Sequence, residues 1–223
     1  MDKIKLVVFD LAGTTVKDAG QVVNAFASAL AEHKIEFTSE QLSSVRGSSK
    51  RQAVLSFIPD GPDRARRAEL VYSSFREHLA DQYKNEGVEP VDGAEGIFRQ
   101  LKEQGVRVAL NTGFDRDITE LLLSALNWKE AVVDAVVCGD EVRQGRPAPY
   151  LIFKAMEATD TTSVQQVANV GDTVLDLQAG HNAGVRWNIG VLSGAHDQKR
   201  LERAPHTHLL QSVTELSDLW SVR

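Results

Sequence analysis

Apolar positions along this chain fall into two regimes. Short, mostly continuous runs recur at Leu6-Val7-Val8-Phe9, Val106 to Leu110, Ala135-Val136-Val137-Cys138, Val167-Ala168-Asn169-Val170 and Trp187 to Leu192. They lack the alternation of a half-exposed strand, so they read as strands of a parallel sheet covered on both faces. His208-Leu209-Leu210 reads as a last short strand before a C-terminal helix. Between the runs, apolar residues return at helical spacing: Ile97, Phe98 and Leu101 after a cap at Asp92, then Ile118 to Leu126, Leu151 with Ile152, Ala155 and Met156, and about Leu175 to Asn182. Residues 19 to 85 carry helical spacing alone. Asp18 with Gln21 and Thr38 with Gln41 have the spacing of capping boxes. Gly47 reads as a helix stop, Ser48 or Ser49 as the cap of a helix starting near Lys50, and Pro59 to Pro62 as a loop. A long helix should follow, with Leu70, Val71, Phe75 and Leu79 turned inward.

Strand and helix in alternation mean an α/β fold: a Rossmann-like parallel sheet with helices on both faces. The helical block interrupts it directly after the first strand. The expected division is a core of residues 1–15 and 88–223 with a small α-helical cap of residues 16–87 inserted. The crossings near 16–19 and 84–91, rich in Asp, Gly, Lys and Asn, read as hinges that let the cap move over the carboxyl ends of the strands.

Composition narrows the class. At 223 residues with 42% hydrophobic and 25% charged side chains, the chain has the balance of an ordinary globular protein. A net charge of −6 with both signs interspersed offers no footprint for nucleic acid or an anionic membrane. No stretch approaches the about 18 apolar residues of a membrane span, and no secretory h-region opens the chain, so the expected location is cytoplasmic. The single cysteine, Cys138, excludes internal disulfides and reads as inert core. The Arg64-Arg66-Arg67 run reads as a solvated helix face, or else as part of a homodimer contact through the cap. His206 and His208 lack a third metal ligand and read as surface residues; His196 reads as a helix cap. Trp128, Trp187 and Trp220 read as packing residues.

The chemistry collects where the strands end. The first strand ends at Asp10, followed by Leu11-Ala12-Gly13-Thr14-Thr15. An aspartate there can hold a metal, attack an electrophile or cap a turn. The second strand gives Thr112-Gly113, the loop after the third gives Gly145-Arg146-Pro147, and the fourth gives Gly171-Asp172-Thr173 with Asp176 a helical turn later. In a parallel sheet these ends converge on one edge. Hard carboxylate ligands suit Mg²⁺, while Thr112, Arg146 and the N–H groups after Asp10 and Thr112 supply donors for an anionic oxygen. Metal, anion clamp and carboxylate nucleophile together point to phosphoryl transfer.

D-x-A-G-T, T-G, G-R-P-A-P and G-D-T-x-x-D, in that order, resemble the motifs of the haloacid dehalogenase superfamily of hydrolases. The resemblance spans the whole chain, helical insert included. It implies that Asp10 is the nucleophile that becomes an aspartyl-phosphate. It implies that the carboxylates of Asp10 and Asp172 and the carbonyl of Ala12 ligate Mg²⁺, that Asp176 supports the metal through water, and that Thr112, Gly113 and Arg146 bind the phosphoryl group. Phosphatases of the superfamily place a second aspartate where this chain has Ala12; that acid protonates an alkoxide leaving group. Alanine there, arginine in G-R-P, and T-G-F at 112–114 are similar to the phosphonoacetaldehyde hydrolases, whose cap lysine forms a Schiff base so that an enamine leaves. Gly47-Ser48-Ser49-Lys50 has that subgroup's G-x-x-K form, with Lys50 in the first turn of a helix and Arg46 and Arg51 nearby to disfavour its charge. Arg46 and Ala53 stand where the subgroup has methionine and histidine. The expected activity is cleavage of the carbon–phosphorus bond of phosphonoacetaldehyde or a related carbonyl phosphonate through a Lys50 imine; the alternative is a phosphatase for a phosphoglycolate- or sugar-phosphate-like monoester.

Overall fold

The computed structural model describes residues 3–128 and 132–220. The outermost residues of the expected core, 1–2 and 221–223, lie outside them. Strand β1 (Leu6–Asp10) leads into a helical excursion of α1 (Gln21–Glu32), α2 (Ser39–Ser44), α3 (Lys50–Phe57) and α4 (Arg64–Glu86). The chain then runs through α5 (Ala94–Glu103), β2 (Arg107–Asn111), α6 (Arg116–Ala125), β3 (Ala135–Val137), α7 (Tyr150–Ala158) and β4 (Val167–Gly171). It closes with α8 (Val174–Ala183), β5 (Trp187–Val191), α9 (Gln198–Leu201), β6 (His208–Leu210) and α10 (Leu216–Trp220). Among the described residues no helix is long and apolar enough to cross a membrane.

The strands form one parallel six-stranded sheet in the order β3-β2-β1-β4-β5-β6. All of β1 is buried, as continuous apolar runs require when both faces are covered. Leu6 and Val8 pack with Leu151, Ile152 and Ala155 of α7 and Ala179 of α8. Val7 and Phe9 point the other way, where the Phe9 ring meets Phe98 of α5 edge-on at 5.2 Å. β2 pairs with one side of β1 and β4 with the other, so the connections on the two sides lead in opposite directions. Open α/β sheets hold their ligands in the crevice such a reversal leaves at the carboxyl ends. Asp10 ends β1 and Asp172 follows β4, so the topology alone puts both at that crevice.

Within the helical excursion α1 lies along α4. Phe26 anchors the contact, with ring centroids 5.5 Å from Phe75 and 5.6 Å from Phe57. The two crossings are tied to one another: Lys17 donates its backbone N–H to Glu89 O at 2.9 Å and Val91 donates to Thr15 O at 2.8 Å. Helix α4 runs to Glu86, so the start of the crossing expected at 84–91 is helical.

Three local expectations are corrected. Leu70 is 51% exposed, because the buried face of α4 is set by Ala68, Val71, Tyr72, Phe75, Leu79 and Tyr83, and Leu70 lies off that stripe. The N-cap of α1 is Gly20, at φ +101°, not Asp18; the Asp18 carboxylate instead accepts from Gly20 N at 3.0 Å and Val22 N at 3.4 Å. The N-cap of α5 is likewise Gly93, at φ +81°, rather than Asp92. Both helices are entered through a left-handed residue, which favours glycine over the usual side-chain cap. The box at Thr38 and Gln41 does form.

Truncation should separate the two kinds of α4 position. Phe75→Ala is expected to cost about 3–5 kcal/mol, as loss of a large buried ring does, whereas Leu70→Ala should stay within about 0.5 kcal/mol. Urea unfolding of the two variants beside the parent measures both.

Candidate active site

The loop after β1 is built to bring backbone close to carboxylates. Thr15 Oγ1 donates to Asp10 O at 2.9 Å, and Gly13 N donates to Val16 O at 2.7 Å, which closes the turn. Gly13 stands at φ +95°, and a Cβ there would lie 2.4 Å from Asp172 Oδ2. Gly194, in the loop after β5, presses on the same carboxylate oxygen: its Cβ would fall 2.0 Å from Oδ2. Asp172 is fully buried and receives Thr14 Oγ1 at 3.2 Å on Oδ1 and Ala195 N at 2.6 Å on Oδ2. Thr173 caps α8 in a reciprocal box with Asp176, whose Oδ2 accepts Thr173 N at 3.0 Å.

Arg146 reaches into this group from the loop after β3. Its Nη1 lies 2.7 Å from Asp10 Oδ1 and 2.8 Å from Asp176 Oδ1. Nη2 donates to the backbone carbonyl of Asn111 at 3.1 Å and also to the Asn111 side-chain oxygen. Burial works against the guanidinium charge, but Asp176 and Asp10 outweigh it and hold Arg146 charged. One arginine does not balance the cluster. Burial pushes Asp10 up to about 6, with Arg146 pulling down and Asp176 pushing up. Asp172 is raised as well, by burial and then by its two carboxylate neighbours. Oxygens of Asp10, Asp172 and Asp176 all lie within 4.8 Å of one another, the single such group among the described residues. All-oxygen donors carrying uncompensated negative charge fit a hard divalent cation such as Mg²⁺. Of the three, Asp10 and Asp172 have the better claim as ligands, since Asp176 is divided between the cap of α8 and Arg146.

The second wall comes from the cap. A cavity of about 50 Å³ is bounded on the core side by Asp10, Ala12, Thr112, Gly113, Arg146 and Asp172. On the cap side it is closed by Asp18, Val22, Val23, Arg46, Gly47 and Lys50. The structure therefore brings Asp10, Ala12, Lys50, Thr112, Gly113, Arg146 and Asp172 to one cavity, with Asp176 beside it on Arg146. Cap and core touch here through backbone. Lys50 N donates to Gly113 O at 3.2 Å, and a Cβ on Gly113 would stand 2.4 Å from Ser48 O. Farther out, Arg51 Nε meets Asp115 Oδ2 at 2.8 Å, Arg76 pairs with Asp117, and Arg200 Nη1 donates to Ser43 Oγ at 2.9 Å.

Lys50 is the first residue of α3 and is 7% exposed. Its Nζ donates to Ser48 O at 3.2 Å and lies 5.4 Å from the centre of the Phe114 ring. Its pKa falls to about 8, chiefly through burial; Asp10 opposes the fall and Arg146 adds to it. The expected causes were the first turn of α3, where Lys50 does stand, and the flanking Arg46 and Arg51, neither of which is among the causes of the fall. Arg51 is in fact turned away to Asp115 and Glu69.

Some supports escaped the sequence reading. Asn111 and the Ala195 amide carry no motif of their own; the Gly194 beside Ala195 was the available signal. His196 does cap: its Nδ1 accepts Val174 N at 3.0 Å at the start of α8. His206 bonds Ala204 O and His208 bonds Thr207, and neither joins a ligand cluster among the described residues. Cys138 is buried, which pushes its thiol up to about 11.

Comparison with known proteins agrees with this geometry. The haloacid dehalogenase-like hydrolase family matches residues 7–189. A phosphonoacetaldehyde hydrolase from Parabacteroides distasonis is 34% identical over 213 residues, covering 88% of this chain and 79% of that protein. A hydrolase from Pseudomonas syringae superposes with a TM-score of 0.86 at 21% identity, over 98% of this chain and 99% of its own. A phosphonoacetaldehyde hydrolase-like protein from Oleispira antarctica gives 0.84 at 20% identity, over 98% and 91%.

The glycine contacts make a test. Gly13→Ala and Gly20→Ala share left-handed strain, about 1–2 kcal/mol in each case, but only Gly13→Ala drives a methyl group into Asp172. Gly13→Ala should show the larger fall in Tm and a loss of phosphate release on the order of 10²-fold, the effect of displacing a reacting group by about an ångström.

Proposed function

We propose that this protein cleaves a carbon–phosphorus bond: the chain belongs to the haloacid dehalogenase-like hydrolase family, and its site is divided between a phosphoryl end on the core and an amine on the cap. The observation that carries the reading is Lys50. It is a buried lysine with its pKa lowered to about 8, on the cap wall of the cavity that Asp10 enters from the core. At pH 7 about one such lysine in ten is neutral, against about one in 3,000 at the ordinary value. Ala12 supports the same reading: it removes the acid an alkoxide leaving group would need, while an enamine leaving group needs none.

The neutral Lys50 amine adds to the substrate's carbonyl carbon, and loss of water leaves a protonated imine. The cation draws electrons from the adjacent carbon. An Asp10 oxygen attacks phosphorus, the carbon–phosphorus bond breaks, and its electron pair moves into the imine to form an enamine on Lys50. The enamine takes up a proton at carbon and hydrolyses to the aldehyde product, freeing Lys50. Water then releases phosphate from Asp10. For the aldehyde substrate the sum is phosphonoacetaldehyde plus water giving acetaldehyde plus phosphate. Arg146 and Thr112 hold the phosphoryl oxygens, with Gly113 on the same wall. Mg²⁺ held by the carboxylates of Asp10 and Asp172 and the carbonyl of Ala12 would neutralise charge on the phosphonate. The curated relative's name, phosphonoacetaldehyde hydrolase, agrees with this substrate class.

Borohydride added with phosphonoacetaldehyde should reduce the imine to a stable adduct, located at Lys50 by peptide mass. Lys50→Arg should lose both the adduct and phosphate release. Retention of full activity by Lys50→Arg would refute the imine. Because the amine acts when deprotonated, kcat/KM for the aldehyde should rise about tenfold per unit of pH below 8 and level off above it. Chelation should abolish phosphate release and added Mg²⁺ restore it. Asp172→Asn should weaken the Mg²⁺ requirement curve by at least about tenfold.

A further inference from the structure

The catalytic scheme leaves one cation on the cavity unused. Arg46 lies four residues before Lys50 on the cap side and lines the same cavity. It also lines a smaller apolar recess of about 20 Å³, formed with Val22, Val23, Phe26, Leu42 and Val45, into which Lys50 also opens. Among the described residues Arg46 has no salt bridge or side-chain hydrogen bond. The carboxylate on the same wall, Asp18, has Oδ1 engaged by the amides of Gly20 and Val22. A half-buried guanidinium without a partner, beside a recess with room for one small group, is arranged to receive an anion.

Which anion follows from the neighbours. Asp10, Thr112 and Arg146 occupy the phosphoryl end, on the core. Arg46 stands with Lys50 at the other end, so the group it meets is a substituent on the carbon that Lys50 attacks. The recess beyond the main cavity is only about 20 Å³, so the anion that Arg46 meets is a small one, a carboxylate rather than a second phosphate. An aldehyde, with hydrogen at that position, would leave Arg46 unpaired in a closed site.

We infer that the preferred substrate is a 2-oxo acid with the phosphono group on the adjacent carbon, whose carboxylate is bound by Arg46. This rests on the carbon–phosphorus reading above and names its substrate class. The step balances as before: the Lys50 imine forms at the ketone with loss of water, phosphorus passes to Asp10, and the carbon–phosphorus electron pair forms the enamine. One proton added at carbon and hydrolysis of the imine release pyruvate. Hydrolysis of the aspartyl-phosphate releases phosphate, and the net reaction consumes one water.

The test compares 3-phosphonopyruvate with phosphonoacetaldehyde. Phosphate is measured for both, and pyruvate by coupling to lactate dehydrogenase and NADH. The unmodified protein should show kcat/KM at least about tenfold higher for the 2-oxo acid. Arg46→Met should reverse that ratio by about 10²-fold or more, mainly through KM for the acid, and Arg46→Lys should recover part of it. A preference of the unmodified protein for the aldehyde overturns the inference while leaving the carbon–phosphorus reading intact, and needs no variant to fold. Equal losses on both substrates in Arg46→Met overturn it as well. Turnover of neither phosphonate, beside turnover of a phosphate monoester, overturns both readings.

Discussion

Charge balance at the carboxyl edge of β1 and β4 constrains everything around it. Buried carboxylates of Asp10, Asp172 and Asp176 meet there, and one guanidinium reaches them. Burying such a set is costly unless each charge is paired and hydrogen-bonded. The fold meets part of that demand through Arg146, Thr14 and the Ala195 amide, and the elevated Asp10 and Asp172 record the part left over. The charge that remains fits a hard divalent cation. The close backbone approaches at Gly13 and Gly194 follow from the same demand, because amides can reach a buried carboxylate only where no side chain intervenes.

The cap adds a different chemistry to this edge. The core offers negative oxygens and phosphoryl donors; the cap offers a buried amine and an unpaired guanidinium. They touch where Gly113 admits the Ser48 carbonyl and accepts Lys50 N. Burial of the amine at this contact is the main reason Lys50 falls to about 8.

Much of the site was legible because its residues sit where strands end, and strand ends are set by apolar runs that local sequence declares. Asp10, Thr112, Arg146 and Asp172 were reachable in this way. Residues that act through a neighbour in space were not. Asn111, the last residue of β2, holds Arg146 but carries no motif of its own, and Ala195 holds Asp172 through an amide, which every residue possesses. Asp18 and Asp92 were taken for caps because side-chain capping is the common solution; left-handed Gly20 and Gly93 replace them for a conformational reason that spacing does not display. Leu70 shares the helical spacing of Val71, Phe75 and Leu79, but the buried stripe of α4 passes to one side of it.

By itself the sequence determined the order of strands and helices, the helical excursion after the first strand, the sequence of motifs at the strand ends, and the absence of a second acid at Ala12. These are local or one-dimensional properties, written in residue type and period. The tertiary structure decided which charges pair, which lysine is dry, and which cation has no salt bridge among the described residues. Those depend on distances between residues far apart in the chain: Arg146 to Asp10, Lys50 to the core beneath it, Arg46 to the cavity it lines. Asp10 was therefore recognisable from the run that leads to it, while Lys50 and Arg46 acquire their character only when the cap is laid against the sheet edge.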